Sequence, residues 1–192
     1  MTEIRWHGRG GLGAFTAARL LGNAASIYEG KYALAFPSFG PERRGAPVFA
    51  FTRIDTSPIT DRSEVVECDC AIVLDDTLFG DPVKNGLKPG ATVIVNTTKD
   101  AGAFAVEGCK VVTVDATGLA LEILGRPITN VPLLGALIAA TDMVSLASAE
   151  AAIDDQLAPK LREKNKKLLN NSINEKGINM IPFFYAIMNS EV

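Results

Sequence analysis

One short stretch near the amino end, Gly8-Arg9-Gly10-Gly11-Leu12-Gly13, constrains this chain more than any other. It follows the apolar-alternating run Glu3 to His7 and leads into an Ala- and Leu-rich segment, Ala14 to Ala25. That order predicts a strand, a glycine-rich turn and a helix. Such a unit presents backbone N–H groups at a helix N-terminus, where a phosphate can sit. Glycine is needed because the turn is tight and a phosphate must approach the main chain closely. The spacing alone is weak evidence, and its place between a strand and a helix is what gives it weight.

The rest of the chain reads as alternating strands and helices. The first helix is expected from about Leu12 to Ile27, stopped at Gly30, and Tyr32 to Phe36 follows as a second strand ended by Pro37. Phe39-Gly40-Pro41-Glu42-Arg43-Arg44-Gly45-Ala46-Pro47 is a punctuated loop around two adjacent arginines, and Val48 to Ile54 is a third strand. So short a connection allows an antiparallel neighbour, since a parallel crossover needs about a dozen residues. Ser63 is placed to cap a short helix ending near Cys68. Three apolar strands then recur, each ending in polar residues: Ala71 to Leu74 before Asp75-Asp76-Thr77, Ala91 to Val95 before Asn96-Thr97-Thr98-Lys99, and Val111 to Val114 before Asp115-Ala116-Thr117. Thr117 is placed to start a helix through Leu124. Near-continuous apolar strands with helical segments between them predict a parallel sheet covered on both faces.

Leu133 to Ala140 is apolar on every side, so a helix there is buried all round. Glu150 to Leu157 and Lys160 to Asn171 read as more polar helices. The tail, Ile181 to Met188, is unusually apolar for a terminus and either packs back or docks on a partner. With the Leu133 to Ala140 helix it argues for burial against partners. No linker or repeat is evident, so residues 1–192 are expected to form one α/β domain, with a core over about 3–140 and a helical part over about 141–192.

Composition narrows the function. A net charge of −3 gives no general attraction to nucleic acid. The longest apolar block, Val131 to Thr141, is roughly half of the ~20 residues that a membrane span requires. The amino end has no signal-peptide layout, so a cytoplasmic location is expected. Cys68, Cys70 and Cys109 form no disulfide framework, and iron–sulfur clusters generally take four cysteine ligands.

In an open α/β sheet, ligands sit outside the carboxyl ends of the parallel strands. There the glycine loop, Asp75 to Thr77, Asn96 to Lys99 and Asp115 to Thr117 converge, and with Arg43 and Arg44 they fit a phosphate-bearing ligand. The plainer readings stand beside this one. The glycines serve close packing, the Asp and Thr residues cap helices, and the arginines are surface charges or partner contacts. His7 has no second histidine or cysteine nearby, so it forms neither a metal set nor a nucleophile–base pair, and a structural role is expected. An NAD site requires an acidic residue at the end of the second strand. That strand ends Ala35-Phe36-Pro37, which argues against a free-standing dehydrogenase or other stand-alone nucleotide-dependent enzyme.

Glu3-Ile4-Arg5-Trp6-His7-Gly8-Arg9-Gly10-Gly11, the Phe39 to Pro47 loop, Asp75-Asp76-Thr77-Leu78, Asn96-Thr97, Asp115-Ala116-Thr117 and Leu133-Leu134-Gly135-Ala136 occur in an order that resembles the gamma subunit of 2-oxoacid:ferredoxin oxidoreductases, the pyruvate synthase type. The resemblance covers residues 3 to about 140, and more loosely the helices after them. It implies an open, mostly parallel sheet with helices on both faces, Rossmann-like, of the pyruvate:ferredoxin oxidoreductase domain III type. It also implies a subunit that is not catalytic alone.

Complexes of this family decarboxylate a 2-oxoacid on thiamine diphosphate, pass electrons through 4Fe-4S clusters to ferredoxin or another acceptor, and release an acyl-CoA. Thiamine and clusters then belong to alpha, beta and delta-type partners, and the gamma portion helps hold coenzyme A. In family terms the glycine loop and Arg43 and Arg44 are nearest that role. With Asn96 and Lys99 from the strand ends, the cofactor-binding candidates are Arg9, Gly10, Gly11, Gly13, Arg43, Arg44, Asn96 and Lys99, with no catalytic or metal-ligating residue. A purely structural subunit is the competing expectation. One departure stands out: many separate gamma subunits carry Gln where this chain has Leu12.

Overall fold

Alternation of apolar residues along a central sheet divides the protein into two layers. The computed structural model describes residues 1–38, 45–174 and 179–181. In chain order the elements are β1 (Thr2–Arg9), α1 (Ala14–Asn23), β2 (Tyr32–Pro37), β3 (Pro47–Asp55), β4 (Cys68–Val73), α2 (Asp81–Lys84), β5 (Leu87–Asn96), β6 (Lys110–Val114), α3 (Ala116–Leu124), α4 (Asn130–Thr141), α5 (Leu146–Gln156), α6 (Pro159–Ile173) and β7 (Asn179–Ile181). One π-helical turn, Ala24–Tyr28, extends α1 towards Gly30, which lies at φ 65°.

The strand order is β2-β3-β1-β4-β5-β6-β7. β1, β4, β5 and β6 run parallel through the middle, while β3 lies antiparallel to both β1 and β2, and β7 lies antiparallel to β6. The antiparallel neighbour expected after the second strand is therefore present. The chain leaves β1 through α1 towards β2 and β3 on one side, and all later parallel strands add on the other. This makes the β1/β4 boundary the topological switch point, where an open sheet leaves a crevice at its carboxyl edge.

Side chains of Ile4, Trp6, Ile72, Ile94, Val112 and Val114 point to one face and are covered by α1, α3, α4, α5 and α6. Trp6 donates from Nε1 to Thr52 Oγ1 (3.0 Å), which in turn donates to Ala18 O (3.2 Å), locking sheet to helix. Among the described residues the opposite face, with Ala71, Val73, Val93, Val95 and Val111, is covered by α2, by the 3-10 turns Asp76–Leu78 and Ala101–Phe104, and by loops. Helical cover is thus present on both faces and heavy on one.

Three expectations need correction. Ser63 caps no helix. Buried Arg53 donates to the carbonyls of Asp61 and Ser63 (3.0 and 2.8 Å), and Arg5 donates to Val66 O (3.2 Å), so these carbonyls are spent in holding an irregular strap. The helix after β6 is capped by Asp115, whose Oδ1 accepts from Gly118 N at 2.7 Å, and Thr117 lies inside the helix. The all-round apolar helix, α4, is buried from Asn130 to Ile138 against α1, α3, α6, β5 and β6 of its own chain, so its composition does not demand a partner. The apolar tail beyond Ile181 lies outside the described residues.

Candidate functional site

The glycine loop takes the form its sequence predicts. After Arg9 the chain turns tightly, with Leu12 N donating to Arg9 O (3.0 Å), and Gly13 becomes the N-cap of α1 at φ 82°. A Cβ on Gly13 would also lie 2.6 Å from Asn130 Nδ2, at the first turn of α4. Glycine is therefore required here twice, by backbone conformation and by helix approach. No side chain caps α1 and its first turn carries no acid. Among the described residues, the amides of Gly13 to Thr16 have no hydrogen-bond acceptor. A helix N-terminus in this state attracts an anion, through its free N–H groups and its dipole.

Arg9 closes the loop from the side. Its Nε donates to Asp75 Oδ2 (2.6 Å), Nη1 to Gly45 O (3.1 Å) and Nη2 to Thr77 Oγ1 (2.8 Å). Gly10 N donates to Ala46 O (3.0 Å). The ends of β1, β4 and the loop before β3 are thereby tied into one rim. Burial pushes the Asp75 carboxyl upward, but hydrogen bonds from Thr77 and Arg9 outweigh it and hold the group below the usual carboxylate range.

Inside the rim is an open crevice of about 400 Å³ lined by Leu12, Leu74, Asp75, Asp76, Asn96, Thr97, Thr98, Asp115, Thr117, Pro127 and Thr129. The carboxyl ends of the parallel strands meet here, as expected. Asn96 is nevertheless spent on structure: Nδ2 donates to Leu74 O and Thr117 Oγ1 (both 2.9 Å), and Oδ1 accepts from Thr117 N (3.2 Å). Lys99 pairs with Asp76 (2.9 Å), which also accepts from Thr97 Oγ1 (2.9 Å). Of the predicted site residues, Asn96 lines this crevice, Arg9 and Lys99 bond its Asp75 and Asp76, and Gly10, Gly11 and Gly13 belong to the loop that supplies its Leu12. Arg43 and Arg44 lie outside the described residues. Pro127 and Thr129 were not singled out from sequence; the signal was Thr129-Asn130, two capping residue types, directly before the apolar helix.

His7 is 2% exposed, stacked edge-on to Phe49, and its Nε2 has no partner among the described residues. Burial, with a smaller push from Arg5, lowers its pKa to about 3. The three cysteines are buried, and Cys70 is pushed up to about 12 by burial. Among the described residues no group of three or more His, Cys, Asp or Glu is placed to hold a metal ion. Nor is any described helix long and apolar enough to cross a membrane.

Residues 3–175 match the family profile of pyruvate ferredoxin/flavodoxin oxidoreductase. The chain belongs to this family. Among its relatives is the common gamma subunit of pyruvate/ketoisovalerate oxidoreductases from Thermococcus kodakarensis, 50% identical over 180 residues, covering 91% of this chain and 97% of that protein. The crystal structure of pyruvate oxidoreductase subunit PORC from Thermotoga maritima superposes with a TM-score of 0.82 at 36% identity, covering 94% of this chain and 98% of that one. The same fold recurs in 2-oxoglutarate:ferredoxin oxidoreductase from Magnetococcus marinus, solved with 2-oxoglutarate, coenzyme A and succinyl-CoA. There the TM-score is 0.71 at 18% identity, with 89% of this chain matching 30% of a longer one. The chain is a gamma-type member of the family, spanning nearly the full length of its stand-alone relatives.

Proposed function

We propose that this protein is the gamma subunit of a CoA-acylating 2-oxoacid oxidoreductase complex, and that its glycine loop and strand-end crevice help hold coenzyme A. Thiamine diphosphate and 4Fe-4S clusters reside in alpha, beta and delta-type partner subunits, which pass electrons to ferredoxin or another acceptor in the cytoplasm. The observation that carries the reading is the uncapped N-terminus of α1. Among the described residues its amides have no acceptor, no acid lies in its first turn, and it faces the carboxyl ends of the parallel strands. That is the arrangement a phosphate ester or pyrophosphate needs. Arg43 and Arg44, which directly precede Gly45 in the sequence, supply the guanidinium charge in this reading.

Choice of 2-oxoacid lies with the partners, because the reacting carbonyl sits on thiamine. The Thermococcus kodakarensis relative, by its name, is shared between pyruvate and ketoisovalerate oxidoreductases, which supports this division.

The test replaces Arg43 and Arg44 by alanine in the assembled complex. Hydrogen bonds to charged groups are worth about 1.5–3 kcal/mol, so each lost contact weakens CoA use roughly tenfold to a hundredfold. Reduction of the clusters by 2-oxoacid alone should persist. A second reading, a purely structural subunit, is favoured by one observation: Arg9, Asn96 and Lys99 are all engaged within the chain. An unchanged KM for CoA in a complex that dissociates would favour that reading.

A further inference from the structure

The crevice beside the glycine loop lacks the electrostatics of a phosphate site. Among the described residues its lining carries three carboxylates, Asp75, Asp76 and Asp115, and neither lysine nor arginine. Arg9 and Lys99 offset Asp75 and Asp76 from the rim, and those guanidinium and ammonium groups are thereby already engaged. Asp115 has no ion-pair partner among the described residues, and its Oδ1 is occupied in capping α3. A phosphate placed inside would meet carboxylates at close range, with no free cation among the described residues to offset them.

What the crevice does offer is hydrogen-bonding oxygen against apolar walls. Leu12, Leu74 and Pro127 supply the apolar surface, with hydroxyls of Thr97, Thr98, Thr117 and Thr129 and the carboxylates between them. Its volume of about 400 Å³ suits a small-molecule fragment.

Thr129 provides an independent observation. It is the residue before α4 and lines the crevice, and it is 2% exposed, yet its hydroxyl has no hydrogen-bond partner among the described residues and does not cap its own helix. Buried hydroxyls are almost always paired, and an unpaired one is a standing cost to the fold. Hydroxyl, methyl and hydrogen share one carbon in threonine, so one step of χ1 rotation brings the oxygen to the place of the methyl and can turn it towards a bound group.

We propose that this crevice takes an uncharged portion of the ligand that carries hydrogen-bond donors, with Thr129 as its buried contact, and that the phosphates stay outside it at the N-terminus of α1. The inference rests on the coenzyme A reading. Two pieces of that molecule have the required chemistry: the nucleoside, with ribose hydroxyls and an exocyclic amine, and the pantetheine arm, with its amides and hydroxyl.

The experiment measures inhibition of CoA-dependent turnover by adenosine, pantetheine and inorganic pyrophosphate, in the assembled complex and in its Thr129→Val and Thr129→Ser variants. Valine keeps the shape of threonine, and the fold loses no hydrogen bond, so the thermal midpoint of the complex should not fall. Loss of one neutral hydrogen bond predicts roughly 3- to 10-fold weaker inhibition by one neutral fragment in Thr129→Val, with recovery in Thr129→Ser. Pyrophosphate inhibition should not change. Weakening confined to adenosine identifies the nucleoside, and weakening confined to pantetheine identifies the arm. The proposal is overturned if neither neutral fragment responds to Thr129→Val, or if pyrophosphate inhibition weakens with it. An effect of the Arg43→Ala/Arg44→Ala pair without one of Thr129→Val sinks this inference alone. No effect of either on CoA sinks the coenzyme A reading as well.

Discussion

Lowering the pH from 7 to 5 should destabilise this fold through the buried imidazole of His7. The imidazole is buried on the thinly covered face of the sheet, beside Arg5 and Phe49, and its folded-state pKa is about 3 against an ordinary 6.5. A base whose pKa is depressed by folding is held neutral, so the unfolded chain binds the extra proton first. Stability is complete above pH 6.5 and is lost as pH falls from there towards 3. Integrating the linkage between pH 7 and pH 5, with the folded state still neutral, gives a loss of about 2 kcal/mol.

Urea unfolding of the isolated chain at both pH values, for wild type and His7→Leu, isolates this contribution. Carboxylates such as Asp75, held low in the fold, titrate in both proteins and cancel in the comparison. Wild type should lose about 2 kcal/mol more than His7→Leu between pH 7 and 5. An equal loss in the two proteins would show that the imidazole is not held neutral, and would refute the reasoning.

Three further outcomes follow from packing and backbone geometry. Gly13→Ala should lower the stability of the isolated chain by more than the roughly 1–2 kcal/mol of a left-handed residue, because its Cβ also meets Asn130; denaturant titration measures it. Arg53→Ala removes the partner of Glu3 and Asp61 and releases the 61–63 strap, and should cost about 3–5 kcal/mol, with hydrogen exchange rising first in that strap. Leu134→Ala, in a helix buried inside its own chain, should cost about 2–5 kcal/mol in the isolated subunit. If the isolated chain shows no cooperative unfolding at all, the self-contained core is the wrong account.

Much of this was legible in the sequence because the signals were local. The glycine turn, the stops at Gly30 and Pro37 and the short span between β2 and β3 each report backbone geometry directly, and the elements lie where those residues put them. What was not legible depends on distant side chains. Nothing near Ser63 reveals that Arg53 on β3 and the far more distant Arg5 claim the carbonyls around it. The uniform apolarity of Leu133 to Ala140 cannot say whether a sibling helix or a partner subunit provides the cover; here α6 and the sheet do. Arg9 and Lys99 read as free cations in sequence, and only folding brings Asp75 and Asp76 against them. Thr129 enters the site through proximity of α4 to the glycine loop, a contact across most of the chain's length.

The most direct test of the central claim is hydrogen exchange at the glycine loop in the assembled complex, with and without coenzyme A. Gly13 to Thr16 offer amides that have no acceptor among the described residues, so a ligand phosphate seated there should slow their exchange. The account predicts CoA-dependent protection of this segment. Unchanged exchange here, with protection confined to partner subunits, would contradict it.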